Sequence, residues 1–212
     1  MKKLVLAGAC LLALAGCDAV GSMKGHEDEA PAATTPDPAV AARETFKAKT
    51  VIVPSADIIN RLAVPNGVSA TLSEHDTLLV TGGPDAGDRP GGKTAGASIE
   101  LTPEQEKAFA NKKLTVKILA RSGNGETVKG RAAYSTNETG NSNWRKFEVG
   151  PEYSVFSFTY DVPAMEKGLG DYIGILPVDG PIEVAAIGFT AKPLPAAGET
   201  APAEGETADT SE

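Results

Sequence analysis

The chain has 212 residues, a formal net charge of −8, and 41% hydrophobic residues. That length suits one ordinary domain with terminal extensions. The acidic composition and the lack of a basic stripe interleaved with aromatic residues exclude a typical nucleic-acid-binding protein. The 23 Gly and 15 Pro residues favour strands and turns over long helices.

Residues 1–16 have the layout of a secretory signal peptide. Lys2 and Lys3 supply the positive start, and the apolar stretch from Leu4 to Leu14 follows them. That stretch is too short to span a bilayer, which takes about 20 apolar residues. We therefore expect this segment to direct secretion and to be removed.

The signal ends in the motif Leu14-Ala15-Gly16-Cys17. This motif resembles the lipobox of bacterial lipoproteins, and the resemblance implies cleavage before Cys17 and acylation of that residue, with palmitate among the acyl chains. Ordinary cleavage after Ala15, with Cys17 unmodified, is the alternative. Asp18 resembles the residue found at this place in enteric lipoproteins retained in the inner membrane. The expected location is therefore the periplasmic face of the cell envelope, with the inner membrane favoured and the outer membrane left open.

Two segments are predicted to be disordered. Residues 17–45 are rich in Ala, Pro, Thr and Glu, and residues 193–212 form an acidic tail. Both lack the large apolar residues that a packed segment needs. The folded domain is therefore predicted to span residues 46–192.

Short apolar runs separated by turn residues predict an all-β domain, an antiparallel β-sandwich. Alternation is clearest in Ser154 to Val162 and in Lys113 to Arg121. The predicted strands are Thr50 to Val53, Val68 to Leu72, Thr77 to Thr81, Ala97 to Leu101, Lys113 to Arg121, Arg131 to Thr136, Arg145 to Val149, Ser154 to Val162, Asp171 to Pro177 and Ile182 to Thr190.

One short helix is predicted, from Pro103 to Ala110. Thr102 is a suitable N-cap, and Pro103 suits the first helical position. Its place between two strands makes it a bridge within the sandwich.

Several strands carry a family resemblance in their order. They are Ala132 to Thr136, Asn143 to Phe147, Phe156 to Tyr160, Asp171 to Ile175 and Ile182 to Phe189. Together they resemble the galactose-binding-like jelly rolls found in carbohydrate-binding modules. The resemblance implies a non-catalytic domain that holds a sugar, in some members beside a structural calcium ion.

Trp144 is the only Trp of the chain, and polar residues flank it. A flat aromatic side chain suits the apolar face of a sugar ring, and amides or charges suit its hydroxyls. A packing role for Trp144 and a turn role for the Asn residues are the alternatives. The candidate carbohydrate-binding residues are Arg131, Tyr134, Asn141, Asn143, Trp144 and Arg145.

Other chemistry receives little support from the sequence. Calcium candidates, by analogy alone, are Asp57, Asp76, Glu100 and Asp171. His75 is the one histidine in the domain, and Ser73 and Asp76 lie near it without a nucleophile elbow or an oxyanion motif. No enzymatic activity and no required cofactor are therefore expected.

The sequence predicts a membrane-anchored envelope lipoprotein whose β-sandwich binds carbohydrate, either a cell-envelope glycan or an exopolysaccharide. The alternative is a structural or assembly module of the envelope that contacts a protein partner and binds no sugar.

Overall fold

A computed structural model describes residues 37–83, 96–165, 167–168 and 170–194. The predicted signal peptide, Cys17, most of the predicted linker and the tail beyond residue 194 lie outside these residues. In this part of the chain, no helix is both long and apolar enough to cross a membrane.

Twelve strands and three helices occur in the described residues. The helices are α1 (Pro38–Thr45), α2 (Ala56–Asn60) and α3 (Pro103–Phe109). The strands are β1 (Thr50–Ile52), β2 (Leu62–Ala63), β3 (Ser69–Leu72), β4 (Leu78–Thr81), β5 (Ala97–Glu100), β6 (Lys112–Ser122), β7 (Val128–Thr136), β8 (Gly140–Asn141), β9 (Arg145–Val149), β10 (Ser154–Val162), β11 (Asp171–Pro177) and β12 (Ile182–Pro193).

The strands form two antiparallel sheets, which confirms the predicted β-sandwich. The first sheet has the order β10-β6-β12-β4-β3, with β1 also paired to β12. The second has the order β2-β5-β11-β7-β8, with β9 also paired to β7. Alternating apolar residues from both sheets fill the space between them, as the period of two requires. In β6, for example, Leu114, Val116 and Ile118 are fully buried.

The predicted bridging helix is confirmed in α3. The Thr102 side chain accepts a hydrogen bond from the backbone N–H of Gln105, and the Gln105 side chain accepts one from the Thr102 N–H. This reciprocal capping box, with Pro103 in the first turn, explains why the helix begins there.

Helix α1 contradicts two predictions. The domain has more than the one expected helix, and the predicted disordered linker does not continue to residue 45. Asp37 caps it, because its carboxylate accepts hydrogen bonds from the backbone N–H groups of Ala39 and Val40. Ala39 and Phe46 are buried in a small apolar cluster on the outer face of the first sheet, together with residues of β6 and β12. The ordered domain therefore begins before residue 46.

Arg43 fastens α1 to the turn between β3 and β4. Its guanidinium donates hydrogen bonds to the carbonyl oxygens of His75 and Asp76, each at 3.0 Å. A third, longer bond of 3.4 Å reaches the carbonyl oxygen of Ala185 in β12. The helix is thus held by polar contacts at its rim as well as by its apolar face.

We predict that Gly188→Ala destabilises the domain. A Cβ atom at Gly188 would lie 2.5 Å from the Cβ atom of Ala48 and 2.8 Å from the ring of Phe46. Relieving this overlap should cost about 1–3 kcal/mol of unfolding free energy. Gly150→Ala is the control, since a Cβ there meets nothing within 4 Å. Equal urea midpoints for the two variants would contradict the close packing of Phe46 on β12.

A candidate binding cleft on the second sheet

The outer face of the second sheet carries a cleft of about 450 Å³ where β7 and β9 pair. Described residues that line it are Lys129, Gly130, Arg131, Lys146, Phe147, Glu148 and Val178. They include three cationic side chains and one carboxylate. The cleft is therefore a charged depression on the strand surface.

The register of β7 and β9 places these charges. Arg131 lies opposite Lys146, and Lys129 lies opposite Glu148. Successive side chains of a strand point to opposite faces, so these four residues share the outer face. Gly130 and its partner Phe147 occupy the row between them.

The side of the sheet beneath the cleft is tightly packed. The Phe147 ring stacks on Phe156 with ring centroids 4.8 Å apart and an interplanar angle of 22°. A Cβ atom at Gly130 would lie 2.6 Å from both Phe147 and Ile182, so only glycine fits without a shift of these core side chains. Close packing below the strands gives the cleft a fixed backbone floor.

The connection after β11 contributes Val178 to the lining of the cleft. The backbone N–H of Val178 donates to the carbonyl oxygen of Lys129 at 2.9 Å. In return, the N–H of Lys129 donates to the Asp179 carboxylate at 2.6 Å. These two bonds hold Val178 beside Lys129 and Arg131.

Of the predicted carbohydrate-binding residues, Arg131 lines this cleft and Tyr134 does not. Tyr134 is fully buried between the sheets, and its hydroxyl donates a hydrogen bond to the Asp171 carboxylate. Register explains the difference, because Arg131 and Tyr134 are three positions apart and so face opposite sides of β7. Tyr134 is therefore a core residue, and its assignment to the site is corrected.

Asn141 is exposed at the end of β8, and Asn143 is exposed in the connection between β8 and β9. The Asn141 side-chain oxygen accepts a hydrogen bond from the N–H of Asn143 at 2.8 Å, and Asn143 has a positive φ of 58°. Such local bonds and left-handed angles are typical of Asn in turns. Trp144, the next residue, is half-buried.

Arg145 is exposed but lines a different depression. That hollow measures about 260 Å³ and is formed with Lys113, Thr159, Tyr160 and Asp161 of the first sheet. Arg145 pairs with Ala132, whose side chain faces the core, and so points toward the lateral edge of the sandwich. The residues predicted as one cluster are thus divided between the outer face, the core and this edge.

Beneath the second sheet lies a buried polar network around Asp171. Its carboxylate accepts the Tyr134 hydroxyl, and its backbone N–H donates to the Glu106 carboxylate at 2.8 Å. Burial raises the pKa of Asp171 to about 6, and the nearby carboxylates of Glu106 and Glu138 act in the same direction, whereas the Tyr134 hydrogen bond lowers it. Burial also raises the pKa of Tyr134, and the charge of Asp171 adds to that increase.

The four calcium candidates do not form a ligand set in the described residues. Glu100 lies opposite Tyr172, the neighbour of Asp171 in β11, so Glu100 and Asp171 point to opposite faces of the sheet. Asp57 and Asp76 are exposed on α2 and in the turn between β3 and β4. No group of three or more His, Cys, Asp or Glu residues in the described segments could hold a metal ion.

The polar side chains in the turn around His75 stabilise the turn itself. The Ser73 hydroxyl is hydrogen-bonded to the Thr77 hydroxyl at 2.7 Å and accepts the backbone N–H groups of His75 and Thr77. The His75 ring instead lies 3.4 Å from Asp37 and from Glu74. A Ser73-His75 nucleophile–base contact is therefore not formed.

Lys129, Lys146 and Glu148 line the cleft but were not among the residues predicted for the site. Alternation within the predicted strand Arg145 to Val149 already places Lys146 and Glu148 on one face. What the sequence did not show is that this strand pairs with the one containing Arg131.

No family model and no curated protein matches the chain. The CBM22-1 xylan-binding domain of Paenibacillus barcinonensis Xyn10C aligns with a TM-score of 0.44 and 10% identity, over 63% of this chain and 86% of that one. The C-terminal family 22 carbohydrate-binding module of Clostridium thermocellum Xyn10B aligns with a TM-score of 0.46 and 11% identity, over 68% and 92%. A structure described as CBM4 aligns with a TM-score of 0.43 and 12% identity, over 68% and 96%.

We predict that Asp171 makes the unfolding free energy depend on pH. Its pKa is raised from 3.8 to about 6, so the folded state binds a proton more tightly than the unfolded state. The charged form is therefore the less stable one, and this contribution falls as pH rises from about 4 to above 6. The shift corresponds to about 2–3 kcal/mol.

Urea unfolding of the wild type and of Asp171→Asn at pH 4 and pH 7 measures this effect. Asn keeps an acceptor for the Tyr134 hydroxyl and carries no charge. The unfolding free energy of the variant, relative to that of the wild type, should therefore be higher at pH 7 than at pH 4. The other carboxylates titrate in both proteins and cancel in the difference. If the two proteins differ in unfolding free energy by the same amount at both pH values, the pKa of Asp171 is not raised in the folded state.

Proposed function

We propose that this chain is a lipid-anchored protein of the bacterial cell envelope and that its β-sandwich binds a glycan without catalysis. The observation that carries the proposal is the preformed cleft between β7 and β9. It is lined by Arg131, Lys129, Lys146 and Glu148 over a tightly packed floor.

The chemistry of the cleft suits a saccharide. Guanidinium and ammonium groups donate hydrogen bonds to hydroxyl and ring oxygens, and the Glu148 carboxylate accepts bonds from hydroxyl groups. Val178 adds apolar surface for the carbon skeleton of a sugar.

Residues at the start of β9 extend the proposed site. Trp144 is half-buried and lies two residues before Lys146, and Asn141 and Asn143 are exposed just before it. In our proposal the Trp144 ring and these amides contact further units of an extended glycan. Arg145 is left out because it lines the separate lateral depression.

Attachment to the membrane is proposed from the motif that ends in Cys17. Diacylglycerol and a further acyl chain on this residue would hold the protein firmly, since two lipid signals are needed for a stable anchor. Asp18 favours the periplasmic face of the inner membrane within this proposal.

Glycan-array binding tests the proposed site. We expect the unlipidated full-length Cys17→Ser protein to bind at least one envelope or extracellular polysaccharide, and Arg131→Ala to weaken that binding about tenfold or more, since hydrogen bonds to charged groups contribute about 1.5–3 kcal/mol. Trp144→Ala should have a smaller effect, about two- to fivefold, because its ring lies outside the cleft lining.

Lys49→Ala is the matched control, since Lys49 is exposed beside the first sheet. All variants are checked for unchanged thermal unfolding. Absence of binding to any glycan would end the carbohydrate proposal and direct the search to protein partners.

Lipidation is tested by growing cells with labelled palmitate. Wild-type protein should carry the label and sediment with membranes, whereas Cys17→Ser should lose the label. Cys10→Ser is the control, because Cys10 lies within the segment expected to be removed. A label that persists in Cys17→Ser would contradict an anchor at this residue.

A further inference from the structure

The charges in the β7–β9 cleft follow two different patterns. In one row, Lys129 lies opposite Glu148, which is the complementary arrangement that stabilises paired strands. In the next row on the same face, Arg131 lies opposite Lys146. Like charges directly opposite each other destabilise an antiparallel pair.

Neither cation of this second row forms an ion pair within the described part of the protein. The ion pairs found there join Arg121 to Glu183 and His75 to Asp37 and Glu74. The chain as a whole is acidic, with a net charge of −8. Two adjacent cations that form no ion pair, in a cleft whose one described carboxylate lies in the neighbouring row, conflict with local stability, and such conflicts concentrate at functional sites.

We infer that the saccharide bound in this cleft carries a negatively charged group, such as the carboxylate of a uronic acid, held between Arg131 and Lys146. This inference rests on the proposed function and names its ligand class. The planar guanidinium of Arg131 offers two parallel donors to a carboxylate, and the ammonium of Lys146 adds a point charge across the strand pair.

Glu148 favours the binding of an acidic saccharide over that of other polyanions. It lies two residues after Lys146 on the same face of β9, where its carboxylate repels a uniformly anionic chain. A sugar acid places one charge per ring among several hydroxyl groups, and those hydroxyls donate to a carboxylate. Charged groups that alternate with hydroxyl groups along the saccharide therefore match the cleft, in which the row Arg131–Lys146 lies next to the row Lys129–Glu148.

The test is isothermal titration calorimetry with oligomannuronate and with the same oligosaccharide after its carboxyl groups have been reduced to alcohols. The protein is the full-length Cys17→Ser chain. We expect the acidic oligosaccharide to bind at least tenfold more tightly than the reduced one, and added salt to diminish this preference. Arg131→Gln and Lys146→Gln should each lose most of it, whereas Lys49→Gln, which removes the same charge outside the cleft, should keep it.

Protein stability gives a second readout. Because Lys146→Gln removes the like-charge opposition, its melting temperature without ligand should be equal to or above that of the wild type. Loss of binding would then not reflect unfolding.

Each contrary outcome has a distinct meaning. Equal affinity for the acidic and the reduced oligosaccharide would overturn the charge inference and leave carbohydrate binding standing. An acidic preference that survives both cleft variants would overturn the role of Arg131 and Lys146. Equally tight binding of polyglutamate would overturn the assignment to a saccharide, and absence of binding by both oligosaccharides and by a wider glycan panel would remove the proposed function as well.

Discussion

The fold depends on β12 being buried on both of its faces. On the inner side, Ile187 and Phe189 enter the core between the sheets. On the outer side, Ala185 and Ala186 lie in the smaller cluster beneath α1 and Phe46, and a register shift between Val184 and Ala186 marks a bulge at this point. Small residues suit the outer side at Ala185 and Ala186, because α1 and Phe46 pack directly on the strand there. β12 therefore pairs with β1, β4 and β6 in one sheet and also packs against α1 and Phe46.

The second sheet shows how the same packing requirement produces a site. Below the pair β7–β9, Gly130 leaves room for the Phe147 ring, which stacks on Phe156. Above the pair, charged side chains stand on a backbone that this packing holds in place. A cleft with a fixed floor loses little conformational entropy when a ligand binds, because the strands are already ordered. The packing of Phe147 against Gly130 and Phe156 therefore both stabilises the core and fixes the shape of the cleft.

The sequence predicted most strands well because alternation of apolar and polar residues is a local signal. The bounds of β9, β10 and β11 agree with the prediction to the residue. Helix α1 was missed although Asp37-Pro38 is a capping signal, since the surrounding segment has few large apolar residues and its partner, β12, is distant in sequence. The cleft was missed for a similar reason. The opposition of Arg131 and Lys146 exists only once two strands are paired in a particular register, and no local pattern specifies that register.

In β7, the position of a residue along the strand determines whether its side chain lies in the core or at the candidate site. Tyr134 faces inward, where its buried hydroxyl needs an acceptor, and the Asp171 carboxylate supplies one. Burial raises the pKa of Asp171, whereas this hydrogen bond lowers it. Arg131 faces outward, where it forms no ion pair with a described carboxylate. Both residues were candidates for one site because both are polar and near Trp144 in the sequence. Their opposite orientation means that changes at Tyr134 act on stability, whereas changes at Arg131 act on the cleft. A substitution at Arg131 therefore alters the cleft without disturbing the network of Tyr134 and Asp171.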